Sequence, residues 1–306
     1  MVTSGLKPAT ARAIDDQVEK VLRGLGMPEP PLDLPVVRQL LKLDKKFYST
    51  SESGFVRETV SRITVGVKQV FSRPTLLFDA IRKLDIKALY IPDRKVILLD
   101  DSLPVPKLRW NEAHEIGHSI LDWHQEMMLG DTHITLSPQC HEAIENEANF
   151  AAGRLLFLRD RFTAECLESE PSIKNIQRLS KAFGNTITST LWRTIETLPC
   201  PAIGILSPHP KYRQDASATA DPWRYFIRSP LFERQFSNSS PAAIFQQVRA
   251  YCGYTKRGPL GEGDIEISDD NGVRHVFEFE TFHNSHESLT LGVYKEPRGV
   301  IVGVNP

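Results

Sequence analysis

Several things are scarce in this chain, and each scarcity excludes a class. Cysteine is rare: Cys140, Cys166, Cys200 and Cys252 are widely separated, and no C-x-x-C occurs. A disulfide framework is therefore not expected in so large a chain, and the four are read as reduced, mostly buried thiols. No apolar run approaches the length of a bilayer span, so no membrane partner is expected. The opening MVTSGLKPATARAIDDQVEK lacks the apolar core of a secretion signal, and a cytoplasmic protein is expected. No charge of one sign prevails: 37 Lys and Arg stand against 38 Asp and Glu, a net charge of −1. Such a balance gives no electrostatic pull toward nucleic acid or an anionic surface. No internal repeat or low-complexity segment is found.

What remains is an ordinary globular composition, 41% hydrophobic and 25% charged. With 306 residues there is room for two or three domains. The pattern predicts a helix over 11–24, with Ile14, Val18, Val21 and Leu22 at helical spacing. A second is predicted over 34–42, capped by Asp33 with Pro35 in its first turn. Residues 53–84 read as further helix, interrupted near Pro74. Two short strands, 87–91 and 95–99, are predicted around a turn at Pro92-Asp93-Arg94. A helix with Leu108, Ala113, Ile116, Ile120 and Leu121 on one stripe follows. Residues 125–136 read as loop, and Ser137-Pro138 opens a helix from 138 to about 158.

The stripe helix contains His114-Glu115-Ile116-Gly117-His118, an H-E-x-x-H. Positions i and i+4 share a helix face, so both imidazoles can point at one ion. Glu115 lies one position around and can act as general base. Two histidines, a third protein ligand and an open position suit Zn2+. Candidates for the third ligand are His141, Glu142, Glu145 and Glu147. Glu145 is preferred because Asn149 sits one turn later and can hold a ligating histidine from behind. Glu147, followed one turn on by Ala151, is the runner-up. Glu142 lies near the helix start, where its charge suits the helix dipole.

HEIGHSIL followed by ENEANFAAGRLL resembles the ImmA/IrrE-type metallopeptidases. His114, Glu115, Gly117, His118, Glu145, Ala148, Asn149, Ala151, Leu155 and Leu156 carry the resemblance. Phe150 follows Asn149 directly, one position earlier than in the family, and Phe157-Leu158 stand where the family often has Met-Pro. The resemblance implies a gluzincin-like zinc endopeptidase with a mainly helical, zincin-like α+β domain and a small sheet. By carry-over His114, His118 and Glu145 are zinc ligands and Glu115 the general base. It also implies a protein substrate, a transcriptional repressor cleaved in a stress or mobile-element response. No oxyanion-stabilising residue follows; Tyr90, His133 and His141 are candidates.

Downstream, 172–196 predicts two helices split at Gly184-Asn185, with Thr186 capping the second. This is helix-turn-helix phrasing, or an ordinary helical hairpin. The second helix has one basic residue, Arg193, a poor phosphate footprint, so direct DNA binding is not favoured. From about 200 the chain predicts an antiparallel α+β region: a strand at 202–207, a helix at 241–252, and strands in GDIEIS, VRHVFEFETF and SLTLGVY. Asp270-Asn271-Gly272 marks a hairpin turn. His275, His283 and His286 lie here and are read as surface residues. The expected organisation is a metallopeptidase domain over 1–160, a helix-turn-helix-like segment over 161–200, and a sensor-like α+β domain over 201–306. The rival reading is a regulator that binds DNA or protein with little proteolysis. A purely structural zinc site is a third; it requires a fourth protein ligand.

Overall fold

The structure is a computed structural model that describes residues 6–48, 88–92, 95–124, 138–211 and 221–295. The helix expected over 53–84, the loop over 125–136 and Ser137 lie outside the described residues. The chain divides into two compact units, one of residues 1–161 with 182–185, the other of 162–181 with 186–306.

The first unit is built around the motif. Helix α1 (Pro8–Gly24) buries Ile14, Val18, Val21 and Leu22, the stripe its spacing predicts. Helix α2 spans Leu34–Leu41. Asp33 holds its N-cap position, but the carboxylate makes no capping bond, contrary to expectation. Pro35 removes the second helical N–H, one of the two that a cap side chain can accept. Strand β1 (Asp44–Tyr48) runs parallel to β3 (Val96–Asp100), and β2 (Ala88–Ile91) pairs antiparallel on the other side of β3. The β2–β3 pair matches the expected strands to within a residue. β3 is buried along its whole length, as a central strand must be.

Helix α3 (Val105–Ile120) carries the motif and packs on β2 and β3. Its Ala113, Ile116 and Ile120 are buried, as is Leu121 just beyond it. Glu112, on the same helix, accepts from Arg38 at 2.6 Å and Lys45 at 3.0 Å, tying α3 to α2 and β1. Helix α4 (Pro138–Leu156) packs against α3 through Ala148 and Ala151, and Ala152 is also buried. It ends two residues sooner than expected because Leu158 and Arg159 adopt left-handed conformations (φ 51° and 49°). Their N–H groups return to Leu155 and Arg154, a Schellman closure made without glycine. Phe157 is thereby turned into the core against Phe183. Arg154 and Arg159 pair with Asp15 and Glu19 of α1, so α4 is held from that side too.

Helix α5 (Asp160–Leu167), not foreseen, follows. Next come α6 (Ile173–Phe183) and α7 (Ile187–Thr197), divided at Gly184 (φ 64°) as the sequence predicts. Thr186 caps α7 by accepting the Ser189 N–H.

In the second unit α7 buries Thr190, Leu191, Thr194 and Ile195. The sheet runs β5-β4-β8-β7-β6, all antiparallel: β4 (Ala202–Ser207), β5 (Tyr225–Arg228), β6 (Gly258–Ser268), β7 (Arg274–His283) and β8 (Ser288–Tyr294). One face, with Ala202, Leu206, Leu289 and Leu291, takes Ile173, Ile176, Leu191 and Ile195 of α6 and α7. The other, with Ile203, Ile205, Phe277 and Phe279, takes helices α8 (Pro230–Gln235) and α9 (Pro241–Tyr251). The fold is mixed α+β, as expected, with β1, α5, β5 and α8 added to the predicted elements.

Candidate metal centre

One turn of α3 separates His114 from His118, and α4 brings Glu145 across to them. One donor atom from each of the three lies within 4.8 Å of the others. His114 Nε2 is 3.1 Å from Glu145 Oε2, His118 Nε2 is 3.5 Å from Glu145 Oε1, and the two Nε2 atoms are 3.2 Å apart. The rings stand edge to face. The histidine side chains are 14% and 4% exposed and that of Glu145 41%, so the cluster is walled on the protein side and open on one other. Behind His114, Nδ1 lies 3.1 Å from Asn149 Oδ1. An amide oxygen only accepts, so Nδ1 carries a proton. The side chains reasoned from the sequence, His114, His118, Glu145 and Asn149, are thus brought together.

Glu115 is buried at the foot of the cluster. Its carboxylate accepts the backbone N–H of Tyr90 on β2. Burial pushes its pKa up to about 7; His114 and the Tyr90 N–H oppose that rise, and the Glu145 charge adds to it. His118 is pulled down to about 4 by burial and stays neutral. His114 is pulled down by burial, but Glu145 and Glu115 outweigh that and raise it. Glu145 would be raised by burial, yet the two imidazoles hold it well below the usual range. Two imidazole nitrogens and one carboxylate oxygen, with room on one side, are the donor set of an open tetrahedral zinc site. The proton between His114 and Glu145 is one that a bound cation would replace.

The remaining candidates lie elsewhere. Glu147 accepts from Trp123 Nε1 at 2.6 Å and lies 3.0 Å from His124 Nε2. Glu142 is exposed. His133 and the side chain of His141 lie outside the described residues. Tyr90 is buried and serves Glu115 through its backbone. In the second unit His275 pairs with Asp269, and His283 is buried, not on the surface. Sequence reasoning missed Trp123 and His124. The chain leaves the helix at Leu121, so the approach of His124 to His118 and of Trp123 to Glu147 follows no helical spacing; the only signal was the dipeptide itself, just after the motif.

Residues 75–193 match the family described as the IrrE N-terminal-like domain, Peptidase_M78. Over 133 residues the chain is 29% identical to the "Radiation response metalloprotease IrrE" of Deinococcus radiodurans, covering 42% of this chain and 40% of that protein. The chain thus spans about two fifths of that relative's length. A solved structure titled "Mycobacterium tuberculosis transcriptional regulator" shares the fold at a TM-score of 0.50 and 12% identity, over 94% of this chain and 77% of that one. No helix among the described residues is long and apolar enough to cross a membrane. The matched segment takes in the motif helix and the helix that bears Glu145, so the similarity to ImmA/IrrE-type metallopeptidases covers every residue of the cluster.

Proposed function

We propose that this protein is a zinc-dependent endopeptidase that cleaves a protein partner, a transcriptional regulator, in the cytoplasm. One observation carries the reading: His114, His118 and Glu145 converge beside a buried carboxylate whose pKa is about 7. His114, His118 and Glu145 would hold the ion, with Asn149 fixing His114. Zinc bound there would supply Lewis-acid polarisation and ease the deprotonation of water. Glu115 is tuned to take a proton near neutral pH and return it to the leaving nitrogen, the task of a general acid–base group. Its hydrogen bond to the Tyr90 N–H fixes the direction of the carboxylate. The exposed edge of Glu145 marks the side from which a substrate would approach.

Two features weigh for the peptidase over a DNA-binding regulator. Helix α7 buries one face in its own unit, and Arg193, its one basic residue, lies 3.5 Å from Glu196. Little is left to neutralise phosphate. The free cysteines Cys166, Cys200 and Cys252 fit a reducing compartment. The choice of a regulator as substrate rests on the family resemblance.

The test is metal content of the purified protein by mass spectrometry, joined to function in cells. Near-stoichiometric zinc is expected in the wild type and in Glu115→Gln, and loss of zinc in Glu145→Ala. Glu115→Gln is expected to abolish cleavage. No zinc in the wild type after zinc addition sinks the proposal, as does full cellular function of Glu115→Gln.

A further inference from the structure

His118 has neighbours on both its nitrogen edges. On the Nε2 side stand His114 and Glu145. On the Nδ1 side stands a second, buried row: His118 Nδ1 is 3.0 Å from His124 Nδ1, and His124 Nε2 is 3.0 Å from Glu147 Oε2. The His124 side chain is fully buried, and Trp123 Nε1 donates to the same Glu147 oxygen at 2.6 Å. Nothing in the proposed reaction uses these three residues.

We propose that Glu147, His124 and His118 form a hydrogen-bonded relay that fixes His118 with its proton on Nδ1 and its lone pair on Nε2. Trp123, His124 and Glu147 are then positioning residues for a metal ligand. The argument is one of donors and acceptors. A carboxylate oxygen accepts, so His124 Nε2 carries a proton. Trp123 Nε1–H can only donate, which marks that oxygen as the acceptor twice over. A neutral His124 protonated on Nε2 has its lone pair on Nδ1. That atom faces His118 Nδ1 at hydrogen-bond distance, so the proton between them belongs to His118. His118 Nε2 then carries no proton and turns its lone pair to the side where Glu145 and His114 meet it, His114 Nε2 standing 3.2 Å away as a donor.

Local structure explains how the row is assembled. The chain departs from α3 at Leu121 (φ −102°, ψ 96°), and the His124 N–H closes a turn onto the Leu121 carbonyl at 2.8 Å. This folds His124 back against His118. Glu145 and Glu147 are two residues apart on α4, about 200° around the helix, so their carboxylates diverge. One reaches the Nε2 edge of His118 and the other, through His124, its Nδ1 edge. Asn149 does for His114 what this row does for His118, but with a single residue. Outer partners of this kind set ligand tautomer and commonly change metal affinity about 10–100-fold when lost.

This inference rests on the metal-site reading above, and its test separates the two. Metal-free, histidine nitrogen-15-labelled full-length protein is examined by long-range proton–nitrogen NMR, and zinc affinity is measured against a competing chelator. In the wild type, His118 is expected to show a protonated Nδ1 and a bare Nε2. Glu147→Leu is expected to lose that single tautomer and to bind zinc about 10–100-fold more weakly. Glu147→Gln, whose amide oxygen can accept both N–H groups, is expected to keep the tautomer and most of the affinity. A carboxylate needed only for its charge would show no such rescue. A His118 proton on Nε2 in the wild type overturns the relay, as does Glu147→Leu with tautomer and affinity unchanged. If Glu147→Leu does not fold, the wild-type tautomer decides alone. The tautomer is read without metal, so a wild type that binds no zinc fails the metal-site reading separately.

Discussion

Gly117 and Ala148 meet backbone to backbone: a Cβ on Gly117 would stand 2.8 Å from the Ala148 carbonyl oxygen and 3.3 Å from Ala151 Cβ. The glycine of the motif is therefore a spacing device. It lets α3 and α4 approach closely enough for Glu145 and Asn149 to reach the histidines. Gly117→Ala must push the helices apart, and overpacking of this kind costs about 1–3 kcal/mol. We expect that loss in urea unfolding, together with weaker zinc binding. Wild-type stability and affinity would show that the contact relaxes without moving the ligands.

Asn149 holds His114 by one bond, Nδ1 to Oδ1 at 3.1 Å. Asn149→Ala leaves that N–H without its partner and the ring free to turn. Zinc affinity should fall about 10-fold or more, by competition with a chelator. Asn149→Asp keeps an acceptor in place and should recover most of the loss. Equal loss in both variants would mean that packing, not the hydrogen bond, is what Asn149 supplies.

The inner half of the site was legible because it is local. His114, Glu115 and His118 share one helix, and Glu145 and Asn149 share another, so the i, i+4 rule places each set on one face. The outer half was not. His124 reaches His118 through a turn, and the role of Glu147 depends on a residue 23 positions away. The fold shows the same division. Helices α1, α3, α4, α6 and α7 follow from periodicity, and Thr186 caps as its chemistry predicts. β1 does not: DKKFY has no buried alternation, and the strand exists through pairing with β3 about 50 residues on. β5 was missed for a related reason, since its burial is slight and its register comes from β4.

In the second unit, Phe279 of β7 lies directly across from Gly292 of β8. A Cβ at Gly292 would run into the edge of the Phe279 ring. Phe279 is fully buried and shares its core with Phe277, Ile265 and the apolar faces of α8 and α9. Gly292→Ala should therefore cost about 1–3 kcal/mol, read as an earlier urea transition. Zinc affinity should be unchanged, because the cluster draws no residue from this unit. A variant as stable as the wild type would mean that the ring swings aside at no cost.

The pKa of Glu115 carries a stability consequence with a definite sign. Burial raises it in the folded chain from 4.5 to about 7. A carboxyl raised on folding contributes most below its unfolded pKa, where both states are protonated. Between 4.5 and about 7 the unfolded chain ionises first, so stability drains away as pH rises through that window. At about 1.4 kcal/mol per pKa unit, the loss in metal-free protein is on the order of 3–4 kcal/mol. Glu115→Gln has no such charge to bury. Without metal it should match the wild type near about pH 4 and exceed it by about 3 kcal/mol near about pH 8. The same substitution should abolish peptide hydrolysis while zinc remains bound. Gain of stability with loss of turnover is what a strained general base predicts. Urea unfolding of the two metal-free proteins at both pH values measures it, and identical curves near about pH 8 would show that Glu115 ionises in the fold without penalty.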